Sequence, residues 1–462
     1  MKSDLDFAAR ASGGRATVAA AYEGVTTDSR ALAAGELFVA LRGERFDGHE
    51  FVAAALAGGA AAAVVDREWF DAAPQPLQGA PLLVVDDTRS ALGDIAHAWR
   101  AGFSIPVIGV TGSNGKTTVK EMCGTILRAQ AALDGAEPAD AVLATEGNLN
   151  NDIGLPLTVL RMAPRHRYAV IEMGMNRPGE IARLASIAAP TVAVVTNAQR
   201  AHLEGMGGLD SVAEEKGAIY GGLRGDGIAV INVDDAHAGL WRQQSAAFKQ
   251  IGFGIDPVAD VRATYILKGQ GSELTVQTPA GGLELELPVP GRHNVMNALA
   301  AIAATLAAGV GVEAVRRGLE GYTGTKGRLE RKAGINGAVV IDDSHNANPD
   351  SVMAGIDVLA ATPGRTILVL GDMGEVGPNS AQLHDEVGGY AKSEGVDQLF
   401  ALGEMSEVAA RNFGDGGRHF ARSEELVSAL RKAMDADTVV LVKGSRFMRM
   451  ERVVDGIVVP KR

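Results

Sequence analysis

Cysteine is almost missing from this chain of 462 residues: Cys123 is the only one. A single thiol cannot close an intramolecular disulfide, so no oxidised framework holds the fold and the chain suits a reducing compartment. An excess of basic residues is missing too. Lys+Arg 44 against Asp+Glu 56 gives a net charge of −12, which opposes nonspecific binding to nucleic acid or anionic membrane but leaves room for phosphate held in a local cationic pocket. Long apolar runs are also scarce. The longest uncharged stretch, 294–312, spans 19 residues; with two Asn in its first turn and mostly Ala and Gly after them, it predicts a buried helix rather than a membrane span. Lys2, Asp4 and Asp6 stand where a signal peptide needs apolar residues. The expectation is a cytoplasmic protein with no integral membrane contact.

Glycine, by contrast, is abundant, at 58 residues where a share of about 7% is usual. It has no collagen-like period and falls mostly at the ends of apolar runs, where turns and close backbone approach to ligands call for it. Hydrophobic residues at 46% and charged ones at 22% describe an ordinary globular chain, and its length predicts two to four domains.

The order of runs predicts three α/β domains. Residues 1–86 hold short strands at 37–41, 62–65 and 82–85 and an Ala-rich helix at 51–58, with a Pro-punctuated connector at 73–81. Residues 87–322 alternate strands (107–111, 168–173, 192–196, 228–232) with helical stretches; continuous apolar strands of this kind belong to a parallel sheet covered on both faces. Residues 323–462 repeat the theme, with strands at 338–341, 366–370, 398–402 and 438–442 and helices at 351–360 and 423–433, a Rossmann-like pattern. In such sheets ligands bind beyond the carboxyl ends of the strands.

The sharpest motif follows the strand 107–111: Thr111-Gly112-Ser113-Asn114-Gly115-Lys116-Thr117-Thr118, a Gly-rich loop opening a helix. Val110 stands where the common phosphate-binding pattern has its first Gly, so the motif is the shorter T-G-x-N-G-K-T form. Its mechanism is the same. Backbone N–H groups and the helix N-terminus cradle phosphates, Lys116 reaches the β/γ oxygens, and Thr117 offers a hydroxyl to Mg²⁺. A nucleoside triphosphate is the ligand this loop predicts. Three further residues sit at or beyond strand ends: Glu172, His202 and Lys216. Singly they read as a capping charge, a satisfied loop histidine and a solvated helix lysine; their shared position relative to the loop makes them site candidates, with Glu172 a carboxylate suited to Mg²⁺.

At these residues the chain resembles the ATP-dependent Mur ligases, which build the peptide of the peptidoglycan precursor, and the resemblance runs over essentially the whole length. It is carried by Thr27-Asp28-Ser29-Arg30, by 35–43 and Asp47-Gly48-His49, by the run 145–156 that opens Thr145-Glu146-Gly147-Asn148, and by 172–180. Ala201-His202-Leu203-Glu204-Gly205, 292–298, Gly327-Arg328, the run 342–351 and Lys443-Gly444-Ser445-Arg446 complete it. Within the family, Asn346-Ala347-Asn348-Pro349-Asp350-Ser351 resembles the D-alanyl-D-alanine-adding branch; the Asp-Asn-Pro-Arg motif of the diaminopimelate- or lysine-adding branch does not occur.

The resemblance implies a small uridine-nucleotide-binding domain, a central P-loop ATPase domain and a C-terminal ligase domain. The activity it implies is an amide ligase joining D-alanyl-D-alanine to UDP-N-acetylmuramoyl-tripeptide with ATP. It places Thr111 to Thr118 on the ATP phosphates, Thr117 and Glu172 on a first Mg²⁺, and His202 and Lys216 on a second, with Lys216 converted by CO₂ to a carbamate. Asn294 and Asn297 lie near the adenine, and Arg328 and Asp343 reach phosphates and ribose from the third domain. Ser29, Arg30, His49, Thr145, Asn148, Asn150, Asn151, Asn346 and Asn348 are the implied substrate contacts. The pattern is broken in places: His345 stands where Tyr is expected, Ala198-Gln199-Arg200 replaces an Ile-Gly-Pro-like turn, and Ala218 follows Lys216-Gly217 where Glu is common.

The chemistry follows from the residues as well. Making an amide from a carboxylate in water requires a better leaving group, which ATP provides by forming an acyl phosphate. Carboxylate and γ-phosphate repel, so positive charge must be concentrated by Mg²⁺, Lys116 and Arg328. A carbamate needs a neutral lysine, which burial or cationic neighbours favour. The competing readings are another Mur ligase, a folylpolyglutamate-synthase-like enzyme and, more remotely, a P-loop switch; a dinucleotide dehydrogenase fails because no G-x-G-x-x-G follows 107–111. A monomer is expected, in which Arg328 and Asp343 close onto ATP about hinges near the two domain junctions.

Overall fold

The computed structural model describes residues 1–44 and 46–460. Three large sheets organise them, beside a two-stranded ribbon of Lys2–Asp4 and Ala21–Glu23. The first places strands in the spatial order Arg15–Ala16, Leu82–Val85, Ala62–Asp66, Leu37–Val39, Val25–Thr26, parallel except for the first. The strands Leu37–Val39, Ala62–Asp66 and Leu82–Val85 are buried throughout, as continuous Ala/Val/Leu runs require in a sheet covered on both faces.

The central sheet has nine strands. Val107–Thr111 lies in its interior between Tyr168–Glu172 and Val192–Val195, with Val170 opposite Ile108 and Val194 opposite Val110. The chain thus leaves Val107–Thr111 to pair on one side and then on the other. That reversal opens a crevice beyond the carboxyl end of this strand, where the Gly-rich loop lies. The order continues through Ile228–Asn232, Lys249–Gly254 and Val261–Lys268, all parallel.

The sheet is not parallel throughout. Gly271–Thr278 and Gly281–Leu287 extend it as antiparallel strands, with Ser272 opposite Leu287, beyond the strands whose apolar runs predict the parallel sheet. The reason lies in their pattern: Leu274 and Val276, Leu285 and Leu287 are buried while Thr275, Gln277, Glu284 and Glu286 are exposed, the period-two alternation of a sheet with one wet face.

The third sheet runs Glu330–Ala333, Val339–Asp343, Thr438–Lys443, Arg365–Gly371, Gln398–Leu402, Gly417–Phe420, parallel but for the first strand. Helices cover both of its faces, giving separate apolar layers around Leu368 and Leu441 on one side and Val369 and Val440 on the other. The uncharged stretch 294–312 forms most of the helix Arg292–Ala307, buried in the central core. Among the described residues no helix is long and apolar enough to cross a membrane.

The first and central units share one apolar core. Helix Thr88–Ala101 carries Leu92 and Ile95 into a cluster that includes Leu5 and Leu83 on one side and Leu184 and Ile187 on the other. The third unit's clusters contain only its own residues. Leu92→Ala should therefore cost about 2–5 kcal/mol, and hydrogen exchange followed by mass spectrometry should show lost protection in both 1–100 and the central sheet, with protection in 338–443 unchanged.

Candidate functional site

The loop after Val107–Thr111 turns sharply because two glycines adopt backbone conformations that side chains avoid: Gly112 has φ 144° and Gly115 φ 81°. A Cβ on Gly112 would strike the Thr196 hydroxyl, and one on Gly115 the Asn297 amide oxygen. Helix Lys116–Leu133 then begins with its first N–H groups facing the loop. Lys116 Nζ donates to the carbonyls of Gly112 (2.7 Å) and Ser113 (3.1 Å). Burial pushes its ammonium down to about 8, with Glu172 opposing that shift and Arg328 adding to it.

Glu172 ends the neighbouring strand and is held by a chain of polar contacts. Its N–H donates to Thr145 Oγ1 (2.9 Å), and Asn150 Nδ2 donates to its Oε1 (2.7 Å). The loop carrying Thr145 is tied to the phosphate-loop helix, since buried Lys120 donates to the Thr145 carbonyl (2.8 Å). Glu172 Oε2 is buried and has no hydrogen-bond partner among the described residues. An orphaned carboxylate oxygen beside the Thr117 hydroxyl's helix end is a hard-oxygen donor set that fits Mg²⁺. No cluster of three or more His, Cys, Asp or Glu side chains is found among the described residues.

Lys216, on helix Leu209–Gly217, is completely buried, and its Nζ has no hydrogen-bond partner among the described residues. Burial, reinforced by Lys116, holds its amine well below the ordinary lysine value. His202 sits in the left-handed region at φ 58°, its Nδ1 2.7 Å from Oε2 of Glu375, which is itself at φ 60°. Non-glycine residues in that conformation are strained and cluster at functional sites.

The third sheet supplies the rest. Arg328 Nη2 donates to Thr117 Oγ1 (2.9 Å), leaving that hydroxyl a free lone pair. Asp343 fixes the backbone behind Arg328 by accepting from Leu329 N–H (3.2 Å), and Lys443 Nζ donates to its other oxygen (2.5 Å) and to the Asn346 carbonyl (2.9 Å). His345 is held down to about 3 by burial and by Arg328, Arg446, Lys443 and Lys116 around it, so its ring is neutral and adds no charge.

Two cavities meet at this seam. The larger, about 1070 Å³, is lined from all three sheets, by Arg42 and Arg89, by Lys116, Glu172 and His202, and by Arg328 and His345. The second, about 690 Å³, lies over Asn294 and Asn297. Asn114, Gly115, Arg328 and Asp343 border both. Of the residues picked from sequence, Ser113, Thr117, Asn148, Asn150, Asn151, Asn346 and Asn348 also line the larger cavity, and Thr118 the smaller.

Others lie outside the lining. Thr111 and Gly112 lie beneath the loop, Thr111 donating to the Met173 carbonyl, and Thr145 and Lys216 stand behind the cavity wall. Ser29 lines neither cavity. Arg30 is exposed and pairs with Asp28 two residues away (2.7 Å). His49 is buried with both nitrogens engaged, Nδ1 2.6 Å from Asp47 and Nε2 accepting from Asp66 N–H (3.1 Å), so in this arrangement its ring braces the first sheet. Sequence reasoning placed Lys443 in a family motif without giving it a role, and it passed over Glu375, Lys120 and the group Asn232, Asp234 and Asp235 that lines the second cavity. The signal for the last was present: a polar cluster directly after the apolar strand Ile228–Asn232.

Lys443 and Asp343 are a buried pair, so removing one charge strands the other. Lys443→Met should destabilise the third unit by about 3–5 kcal/mol in urea denaturation, and adding Asp343→Asn should recover much of the loss.

Comparison with known proteins bears on the whole chain. Residues 21–100 match the catalytic domain of the Mur ligase family, 110–305 the Mur ligase middle domain and 327–446 the Mur ligase glutamate ligase domain. A relative from Escherichia coli K12 named UDP-N-acetylmuramoyl-tripeptide--D-alanyl-D-alanine ligase is 42% identical over 437 residues, 94% of this chain and 93% of that one. A crystal structure of MurF from Acinetobacter baumannii superposes with a TM-score of 0.90 at 34% identity over 98% of both chains. The MurF ligase of Thermotoga maritima, in complex with ADP, does so with a TM-score of 0.80 at 26% identity over 94% of this chain and 96% of that one. With likeness of this extent in sequence and in three-domain architecture, the chain belongs to the Mur ligase family.

Proposed function

We propose that this chain is an ATP-dependent amide ligase that joins D-alanyl-D-alanine to UDP-N-acetylmuramoyl-tripeptide, giving the pentapeptide, ADP and phosphate in peptidoglycan precursor synthesis. The observation that carries the reading is the convergence of Lys116 and Glu172 from the central unit and Arg328 from the third on a cavity lined from all three units. It joins the 42% identity to a relative of that activity over 94% of the chain. The units 1–86, 87–322 and 323–462 serve acceptor, nucleotide and incoming dipeptide, and one chain, acting as a cytoplasmic monomer, holds the full set of site residues.

In the first step a carboxylate oxygen of the tripeptide attacks the γ-phosphorus of ATP, and the bond to the bridging oxygen breaks with its electron pair leaving on ADP. In the second, the amino nitrogen of D-alanyl-D-alanine attacks the acyl carbon, phosphate departs, and the nitrogen loses a proton. Lys116, swung from the loop carbonyls it holds, and Arg328 offset the charge of two approaching anions in a site where desolvation strengthens them. Asn294 and Asn297 flank the adenine, and Asp343 the ribose. Asn148, Asn150, Asn151, Asn346 and Asn348 orient the peptide ends, Thr145 acts through Glu172, and Ser29 and Arg30 with the fold braced by His49 serve the uridine end. Thr117 and Glu172 would hold one Mg²⁺ and His202 with carbamylated Lys216 a second; such ions supply charge neutralisation on the phosphates. CO₂ reacts with the neutral form of an amine, and burial favours that form at Lys216, whose Nζ has no hydrogen-bond partner among the described residues.

Phosphate release should require UDP-N-acetylmuramoyl-tripeptide and D-alanyl-D-alanine together, assayed with both the lysine- and the diaminopimelate-containing tripeptide, and Lys116→Ala should lower kcat by about 10²–10³. Turnover with D-glutamate in place of the dipeptide, or with folate substrates, would overturn the assignment. Protein equilibrated with ¹³C-bicarbonate should give a carbamate NMR signal that Lys216→Met removes.

A further inference from the structure

The turn 196–200 is gripped on one side by the phosphate loop. Asn114 N–H donates to Asn197 Oδ1 (2.9 Å), Gln199 N–H donates to Ser113 Oγ (2.9 Å), and Asn114 Nδ2 donates to Gln199 Oε1 (2.6 Å). The next residue, Arg200, faces the opposite way, into the third unit. Its Nη2 and Nε meet Asp350 Oδ1 at 2.7 and 3.0 Å, and its own backbone N–H donates to Asp350 Oδ2 (2.8 Å). Its remaining nitrogen, Nη1, reaches Glu386 at 2.8 and 3.0 Å. One guanidinium therefore ties the first turn of helix Pro349–Ala360 to helix Ser380–Ser393 and both to the central unit.

A second tie runs alongside: Asn348 Nδ2 donates to Asn114 Oδ1 (2.8 Å) and Asn114 Nδ2 to Asn348 Oδ1 (3.2 Å). Asn348 is also the N-cap of helix Pro349–Ala360, in a capping box with Ser351, so its orientation follows that of the helix Arg200 holds. With side chains only 27% and 22% exposed, the Arg200–Asp350 pair is more shielded from solvent than an ordinary surface pair. This is the turn in which the sequence departs from the family's usual residues.

We propose that Arg200 is a positioning residue for the ligase reaction: through Asp350 and Glu386 it docks the third unit on the phosphate loop and so delivers Arg328 to the γ-phosphate. Arg200 touches no reacting atom. Its effect is on the fraction of molecules in the docked arrangement, and nucleotide affinity scales with that fraction. The proposal rests on the ligase reading above.

Arg200→Ala should therefore raise the KM for ATP about tenfold while kcat, measured with the docked form drawn in by saturating substrate, changes less than about threefold. Asp350→Ala should do the same, and the double variant should be no worse than either, because the two side chains form one contact. Arg200→Lys should fall between, since an ammonium cannot fork to both carboxylates. Glu386→Gln, a milder outer change, should shift KM in the same direction by less. Small-angle scattering with a non-hydrolysable ATP analogue should show Arg200→Ala more expanded than the parent protein at equal nucleotide. Unchanged KM and unchanged dimensions in Arg200→Ala would overturn the proposal. So would additive effects in the double variant, or a fall in kcat at constant KM. If the parent protein fails to turn over D-alanyl-D-alanine, the ligase reading falls by itself, and the scattering comparison still decides whether Arg200 docks the third unit.

Discussion

The structure is governed by a single electrostatic demand: positive charge must be gathered, away from water, in a chain whose net charge is −12. Lys116 and Lys216 belong to one unit, while Arg328, Lys443 and Arg446 belong to another. Bringing them together is unfavourable both by mutual repulsion and by desolvation, which is why burial lowers the proton affinity of Lys116, Lys216 and Arg328 alike. Three carboxylates offset this at fixed points: Glu172 acts on both Lys116 and Arg328, Asp343 on Lys443, and Glu375 on Lys116. His345 contributes by staying neutral. An anionic substrate entering such a site replaces lost solvent, which is how a preorganised site favours phosphoryl transfer.

The carboxylates work only if their own positions are fixed, and the fold does this from behind. Glu172 is set by Thr145 and Asn150, and the Thr145 loop by Lys120, one turn into the helix that starts at Lys116. Asp343 is set by Lys443 on the adjacent parallel strand, their Cα atoms in register, and it in turn pins the backbone at Leu329, next to Arg328. In each case one residue's hydrogen bond or charge decides where another, facing the reacting groups, will stand.

How far the sequence could be read follows the same division. Buried parallel strands such as Val107–Thr111 and Tyr168–Glu172 announce themselves as continuous apolar runs between Gly-rich or polar stretches, and the phosphate loop depends on local backbone geometry alone. The antiparallel pair Gly271–Thr278 and Gly281–Leu287 alternates instead, and its Glu and Thr residues obscure it. Short edge strands like Val142–Ala144 and Gly417–Phe420 have too few residues to show any period. Within the site, residues on the phosphate loop were accessible to motif reasoning. Lys120 and Glu375 were not, because each acquires its role from a partner far away in sequence; Lys443 stood in a motif, but its pairing with Asp343 could not be read there. His49 shows the converse: its motif is distinctive, yet both ring nitrogens are taken up by Asp47 and Asp66.

The seam between the central and third units shows why these ligases place catalytic groups on separate bodies. A one-piece site holding Lys116, Lys216 and Arg328 would carry its repulsion permanently, as a standing cost in stability of the kind isolated buried charges impose. Splitting the charges lets each unit fold around its own share, with the third unit's cores complete in themselves. What holds the units together then need only exceed the residual repulsion. That work falls to contacts at the rim, where Arg200, Asp350 and Glu386 are partly solvated and Asn114 and Asn348 are uncharged. Rim contacts of this kind form and break without exposing an apolar core, so the anions that complete the site can tip the balance between its parts.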